Sequence, residues 1–244
     1  MRSETKSSLE GGGRLDSIMQ SSLFFGGLLT LAAYEIGLLI RKKWKLAIFN
    51  PLLIAIVLII ILLKICRIEY NSYQSGANYI NYLLTPATVS LAIPLYQQLQ
   101  ILRQNFLAIV LGILAGAISG MVSVLGLSML FGLTHQEYVT LLPKSITTAI
   151  GMGVSQELGG VVTITVAVIV LTGVFGNIMA EPILKLFRIK HPVAKGIGIG
   201  TAAHALGTAK AIELGEIEGA MSGLSIVVSG VITVIAASFF AMLY

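Results

Sequence analysis

Continuous apolar runs recur along this chain, at roughly 22–40, 46–63, 105–133, 161–180 and 217–243. The hydrocarbon core of a bilayer takes about 20 apolar residues of helix, and most of these runs approach or exceed that length. They do not alternate with period two, which excludes the strand pattern of a membrane β-barrel. Only 11% of the 244 residues are charged, against about 25% in a soluble domain. The chain therefore reads as an all-α polytopic membrane protein that lives in a lipid bilayer.

The net charge of +5 comes largely from two clusters, Arg41 to Lys45 and Lys185 to Lys195. Each abuts an apolar run, so both read as cytoplasmic topology signals and not as a nucleic-acid surface. The lone Cys66 rules out an intrachain disulfide or a paired-cysteine metal site. No HExxH, GxSxG or P-loop pattern occurs, so no enzyme, no catalytic residue, no metal and no cofactor is expected. The run GIGIGT at 196–201 shares only its glycine content with a dinucleotide fingerprint. Residues 1–18 are polar and lack the apolar core of a secretion signal. They are expected to be a disordered leader or tail.

Two stretches do not fit a lipid-facing helix: PKSITTAIGMGVSQELGG at 143–160 and GIGIGTAAHALGTAKAIELGEIEGAMSGLS at 196–225. Polar, irregular backbone at membrane depth survives only where protein buries it or water reaches it, so such stretches mark functional sites. Eight membrane elements are predicted, at about 21–41, 46–65, 77–100, 104–133, 143–157, 160–184, 195–214 and 217–243. The segment before the third element is read as a polar connection. Thr85 to Pro94 overlies Thr201 to Lys210 at an offset of 116 residues (201 minus 85). The order of elements follows the same offset. Placing both basic clusters on the cytoplasmic side makes the two halves inverted, the usual plan of secondary transporters. The expectation is an inverted repeat, 19–135 and 136–244, each half of four elements. It has six full spans, with elements three and seven as re-entrant or broken helices.

Candidate site residues come from the interrupted elements. Lys144 follows Pro143, a residue suited to a first helical turn, and beside a helix N-terminus it would hold a carboxylate. The alternative is a lysine that snorkels to the surface. Ser145 and Thr148 follow at helical spacing, either facing a substrate or bonding to their own backbone. Asn177 and Glu181 share one helical face, either to bind a coupling proton or ion or to mark the membrane boundary. His204 lies among Thr201, Ala203, Gly207 and Thr208, where a low-dielectric pocket could tune it across neutral pH. It too has a purely structural alternative. Thr85 and Thr88 are the repeat partners of Thr201 and His204. The substrate-binding candidates are therefore Thr85, Thr88, Lys144, Ser145, Thr148, Thr201, His204 and Thr208. The coupling candidates are His204, Glu181 and Asn177. Lys210, Glu213 and Glu216 read as ion-pairing groups at the aqueous edge, and Asn50, Gln97 and Gln98 as interfacial caps.

The strings NPLLIAI (50–56), LLTPATVSLAIPLYQQ (83–98), 143–160 and 196–225 together resemble the LrgB/CidB family. That family includes bacterial LrgB, CidB and YohK proteins and the C-terminal half of the plastidic glycolate/glycerate translocator of plants. The resemblance implies a bacterial inner-membrane protein with a small LrgA/CidA-type membrane partner; separately, the long fourth and eighth elements read as surfaces suited to packing or a homodimer. The resemblance implies one of two activities. The first is transport or export of small monocarboxylates such as pyruvate, glycolate or glycerate. The alternative is holin/antiholin-like modulation of murein hydrolase activity and cell lysis. It supplies no site residues, and the paired broken elements favour transport.

Overall fold

The computed structural model describes residues 24–44, 49–90 and 92–244, without the side chains of Asn81, Leu84, Thr88 and Pro94. The expected leader, the start of the first apolar run and Lys45 lie outside the described residues. Every regular element described is helical: α1 Phe25–Trp44, α2 Pro51–Ile65, α3 Tyr70–Asn81, α4 Leu84–Ser90, α5 Ala92–Gln97, α6 Leu99–Gln104, α7 Phe106–Phe131, α8 His135–Leu141, α9 Thr148–Glu157, α10 Val162–Leu186, α11 Pro192–Leu214 and α12 Glu216–Ala241. Three of the described helices, α7, α10 and α12, are long and apolar enough to cross a bilayer. α2 is a shorter apolar helix. The chain divides into two compact units, one ending at Val89 and one running from Ser90 to Tyr244.

In the first unit α1 packs on α2 and α3. The close approach depends on small residues. A Cβ on Gly76 would lie 2.6 Å from the Gly26 nitrogen, and one on Gly37 would lie 2.5 Å from the Pro51 carbonyl oxygen. Ala33, Ala55 and Ile59 form the buried core beside Tyr73, whose hydroxyl bonds to that of Thr30 at 2.8 Å. Asn50 caps α2 by accepting the Leu52 N–H at 2.9 Å, with Pro51 at the first helical position. The cap expected of Asn50 is thus present. The polar run after α2, read from sequence as a connection, is instead the helix α3. Its Ser72 and Gly76 are buried, so its polar residues are compatible with a packed face. The predicted single element at 77–100 is a series of short helices, with a turn at Tyr82–Leu83.

α2 and α10 end in the same way. After each, an arginine takes the left-handed conformation, Arg67 at φ 53° and Arg188 at φ 54°. The following isoleucine N–H then bonds back to a leucine carbonyl, Ile68 to Leu63 and Ile189 to Leu184, both at 2.9 Å. This is a Schellman closure, and the sequences that make it, LLKICRI (62–68) and ILKLFRI (183–189), are nearly alike.

In the second unit the core joins α7, α11 and α12 through Ile109, Ile113, Val193, Ile197, Ala220 and Met221, and α5 lies against α12. A second cluster seats Tyr138 of α8 against Met121, Val124 and Phe240. Its hydroxyl donates to the Phe240 carbonyl at 2.8 Å. α8, which sequence reading did not foresee, starts with a capping box: Glu137 N–H donates to the Thr134 hydroxyl at 3.3 Å, and Thr134 N–H to the Glu137 carboxylate at 2.7 Å. These bonds, the Thr134 backbone first, hold the Glu137 carboxyl below its ordinary 4.5. A depressed carboxyl pKa stabilises the fold above the ordinary glutamate range, and that stabilisation is lost as pH falls through the lowered value. Thr134→Ala is therefore expected to melt below the parent at neutral pH, with the gap closing in acid. Melts recorded across pH check this.

The N-terminus expected at Pro143 and Lys144 is corrected. Residues 142–147 form a turn after α8, and α9 begins at Thr148 with Thr147 as its N-cap residue. Pro143 follows one helix and does not open the next.

Candidate functional site

α11 is the packed centre of the second unit, in contact with α7, α10 and α12. Glycines set its distance to α12. A Cβ on Gly196 would meet the Glu218 carbonyl oxygen at 2.5 Å, and one on Gly200 would meet the Ser222 carbonyl oxygen at 2.5 Å. Partway along, the helix leaves helical geometry at Ala203 (φ −133°, ψ 15°) and His204 (φ 41°, ψ −139°). A positive φ on a residue with a Cβ costs about 1–3 kcal/mol and persists only where the surroundings enforce it.

Those surroundings come from α10 and α12. His204 Nε2 is 3.0 Å from the Ile169 carbonyl oxygen. Asn177 donates to the Leu206 carbonyl at 2.7 Å, satisfying a backbone acceptor just past the break. Thr208 donates to the His204 carbonyl at 3.0 Å, and its hydroxyl lies 2.7 Å from that of Ser222. α10 offers the imidazole a glycine face: a Cβ on Gly173 would fall 2.7 Å from His204 Cε1 and from Leu206 Cδ1. His204 and Thr208 are buried. The interruption is thus closed by side chains of three helices, as an irregular backbone inside a membrane requires.

The remaining candidates separate into groups. Ser145 and Thr201 line one crevice with Gly120, Met121, Ser229 and Thr233. Its volume of about 10 Å³ is that of about one water, so this conformation has no room there for a carboxylate. The Lys144 ammonium donates to the Ser145 hydroxyl at 3.1 Å and is half-buried. Thr201 bonds its own helix at the Ile197 carbonyl, 2.8 Å. Thr148 opens α9 half-buried, and Thr85 is exposed on α4. The Thr88 side chain lies outside the described residues.

Glu181, one turn after Asn177 on α10, meets α11 beyond the break. It pairs with Lys185 at 2.8 Å and Lys210 at 3.4 Å, within a basic cluster past the interruption. Lys210 also pairs with Glu213 at 3.2 Å, as expected, whereas Glu216 lies beyond Gly215 at the start of α12.

Sequence reading missed the α12 side of the site. Ser222, Ser225, Ser229 and Thr233 are all buried. Their spacing of three, four and four residues is a helical stripe of hydroxyls, the signal by which they could have been found. Gly173 and Gly176 on α10 carried a similar signal. Among the described residues no cluster of histidine, cysteine or carboxylate side chains could hold a metal ion.

These features define an all-helical membrane protein built around an interrupted, internally hydrogen-bonded helix. The chain belongs to the LrgB-like family, whose model matches residues 30–243. The antiholin-like protein LrgB of Bacillus mycoides (strain KBAB4) is 39% identical over 213 residues, covering 87% of this chain and 93% of the relative. The proteins of the same name from Bacillus cereus (strain B4264) and Bacillus anthracis (strain CDC 684 / NRRL 3495) are 38% identical over the same shares. No solved structure matches the chain.

Proposed function

We propose that this chain is an antiholin-like protein of the bacterial cytoplasmic membrane. It would modulate murein hydrolase activity and lysis together with a small LrgA/CidA-type membrane partner. The observation that carries this reading is the match to relatives named antiholin-like, which spans 93% of their length. The geometry is compatible with it. The polar groups of the interrupted helix are taken up by one another, and the crevice beside them holds about one water. A protein that acts by packing and partner contact requires no larger internal cavity.

Transport of small monocarboxylates is the second reading, favoured by the interruption itself. Broken helices in paired positions mark the binding sites of inverted-repeat transporters. The matching ends of α2 and α10 support a repeat, at an offset of 121 residues (188 minus 67) in place of 116. That register lays the Tyr82–Leu83 turn over Ala203–His204, so the partner of His204 becomes Leu83 and not Thr88. Under this reading the halves 19–135 and 136–244 are inverted, with six full spans. A second conformation opens the crevice between Ser145 and Thr201, Lys144 meets the carboxylate, and His204 carries the coupling proton. Glu181, engaged by two lysines, is the weaker coupling candidate.

Proteoliposomes separate the two. Under the antiholin-like reading, vesicles holding this protein take up no labelled pyruvate or glycolate above empty vesicles. Co-reconstitution with an LrgA/CidA-type partner lowers the dye leakage that the partner causes. Uptake driven by a proton gradient, with leakage unchanged, overturns it in favour of transport.

A further inference from the structure

The end of α10, the loop after it and the two ends of α11 line an open cavity of about 360 Å³, within the range of about 300–1,000 Å³ typical of ligand sites. Lys185, Arg188, Lys190 and Lys195 line it, against a single lining carboxylate, Glu181. The internal ion pairs do not use up this charge. Glu181 takes Lys185 and Lys210. Lys195 reaches Glu218 at 3.3 Å, a carboxylate only 8% exposed. Among the described residues Arg188 and Lys190 have no ion-pair partner. Both are exposed at the cavity, and the Schellman closure with φ 54° fixes the Arg188 backbone there.

The apolar surroundings are as informative as the charges. Leu184, Ile189 and Leu214 form the remaining walls. Leu186 and Phe187, next along the chain, are 75% and 70% exposed. The cavity lies at the end of a membrane-length helix, where an α-helix meets the headgroup layer. Cations at that depth, with exposed apolar side chains beside them, suit a molecule with an anionic head and apolar tails. A guanidinium fork matches two phosphate oxygens, and a lysine adds a point charge. Basic pockets between membrane helices bind lipid headgroups in this way.

We propose that this cavity binds the phosphate group of an anionic lipid headgroup, with Arg188 and Lys190 as its ligands and Leu184, Ile189 and Leu214 against the glycerol and first acyl carbons. The site is independent of whether the protein transports a carboxylate or restrains lysis. It goes beyond a topology signal because it requires these two side chains and not merely positive charge on one side of the membrane.

The test uses the full chain purified in a neutral detergent. Dioctanoyl phosphatidylglycerol, dioctanoyl phosphatidylcholine and inorganic phosphate are titrated separately, and the melting temperature and dissociation constant are read. Phosphatidylglycerol is expected to raise the melting temperature saturably, and phosphatidylcholine to have little effect. R188Q/K190Q is expected to bind phosphatidylglycerol about thirtyfold more weakly, about fivefold per surface charge removed. K42Q/K43Q, which removes equal charge from the end of α1, is expected to bind as the parent does. Because both cavity side chains are exposed, R188Q/K190Q should melt as the parent does without lipid, which separates lost binding from lost fold. Inorganic phosphate matching phosphatidylglycerol, with the same loss in R188Q/K190Q, supports the phosphate site and assigns it a soluble source. Parent-like affinity in R188Q/K190Q, equal binding of phosphatidylcholine, or no response to either phosphate source overturns the proposal.

Discussion

Gly200→Val is expected to destabilise the purified protein by about 3 kcal/mol or more, the upper end of overpacking in a close-packed interior. A Cβ at this position falls 2.5 Å from the Ser222 carbonyl oxygen and 2.9 Å from the Ser222 Cα. Both atoms belong to the backbone of α12 and cannot rotate aside, so the two helices must separate. Separation also pulls Ser222 from Thr208 and opens the hydrogen bonds that close the interruption. Gly198, two residues earlier on the same helix, is the control. Nothing lies within 4 Å of its added Cβ, so Gly198→Ala is expected to be neutral or to stabilise by up to about 1 kcal/mol through helix propensity. Thermal melts in detergent check both. Equal behaviour of the two variants would mean that α11 and α12 do not approach as described.

The second large effect is an inversion of the usual order of residues in a helix. Inside a regular helix alanine is better than glycine by about 1 kcal/mol. At position 204 the backbone has φ 41°, which glycine adopts freely and alanine does not. Both His204→Ala and His204→Gly lose the contact with the Ile169 carbonyl, but only His204→Ala retains the backbone strain. His204→Gly is therefore expected to be the more stable of the two by about 1 kcal/mol, with both below the parent. Asn177→Leu adds a complementary loss. It leaves the Leu206 carbonyl without its 2.7 Å donor, at a cost of about 1–3 kcal/mol. Melts of the three variants against the parent measure these differences. Greater stability of His204→Ala than of His204→Gly contradicts the interruption at His204.

The long apolar helices were legible because hydropathy alone specifies them. α7, α10 and α12 fall within a few residues of their expected bounds. The interruption was legible as a region, since glycine, histidine and threonine between apolar helices have to be explained at membrane depth. The sequence places it at 201–210, and the break falls inside that stretch at Ala203 and His204; only the positive φ of His204 was not legible, because neighbours on α10 and α12 impose it and it leaves no local mark. α3 was missed because its Asn, Tyr and Ser residues suggest a loop, whereas the close approach of Gly26 and Gly76 lets it pack as a helix. Pro143 misled for a related reason. Proline suits both the first turn of a helix and the residues just after one, and only the packing of Tyr138 shows that α8 precedes it. The pairing of Glu181 with lysines lies in the same class: Lys185 is one turn away, but Lys210 arrives from another helix.

Under the antiholin-like reading, restraint of lysis depends on α10 and α12 holding the interruption in α11 closed. The most direct test follows autolysis and murein hydrolase activity in a bacterium lacking its own LrgB-type protein but carrying an LrgA/CidA-type partner. The parent chain is compared with Asn177→Leu at matched membrane levels. Delayed autolysis and lower hydrolase activity are expected with the parent, and loss of both effects with Asn177→Leu. Autolysis that is unchanged by the parent, or delayed equally by both, would contradict a role for the clamped interruption in restraining lysis.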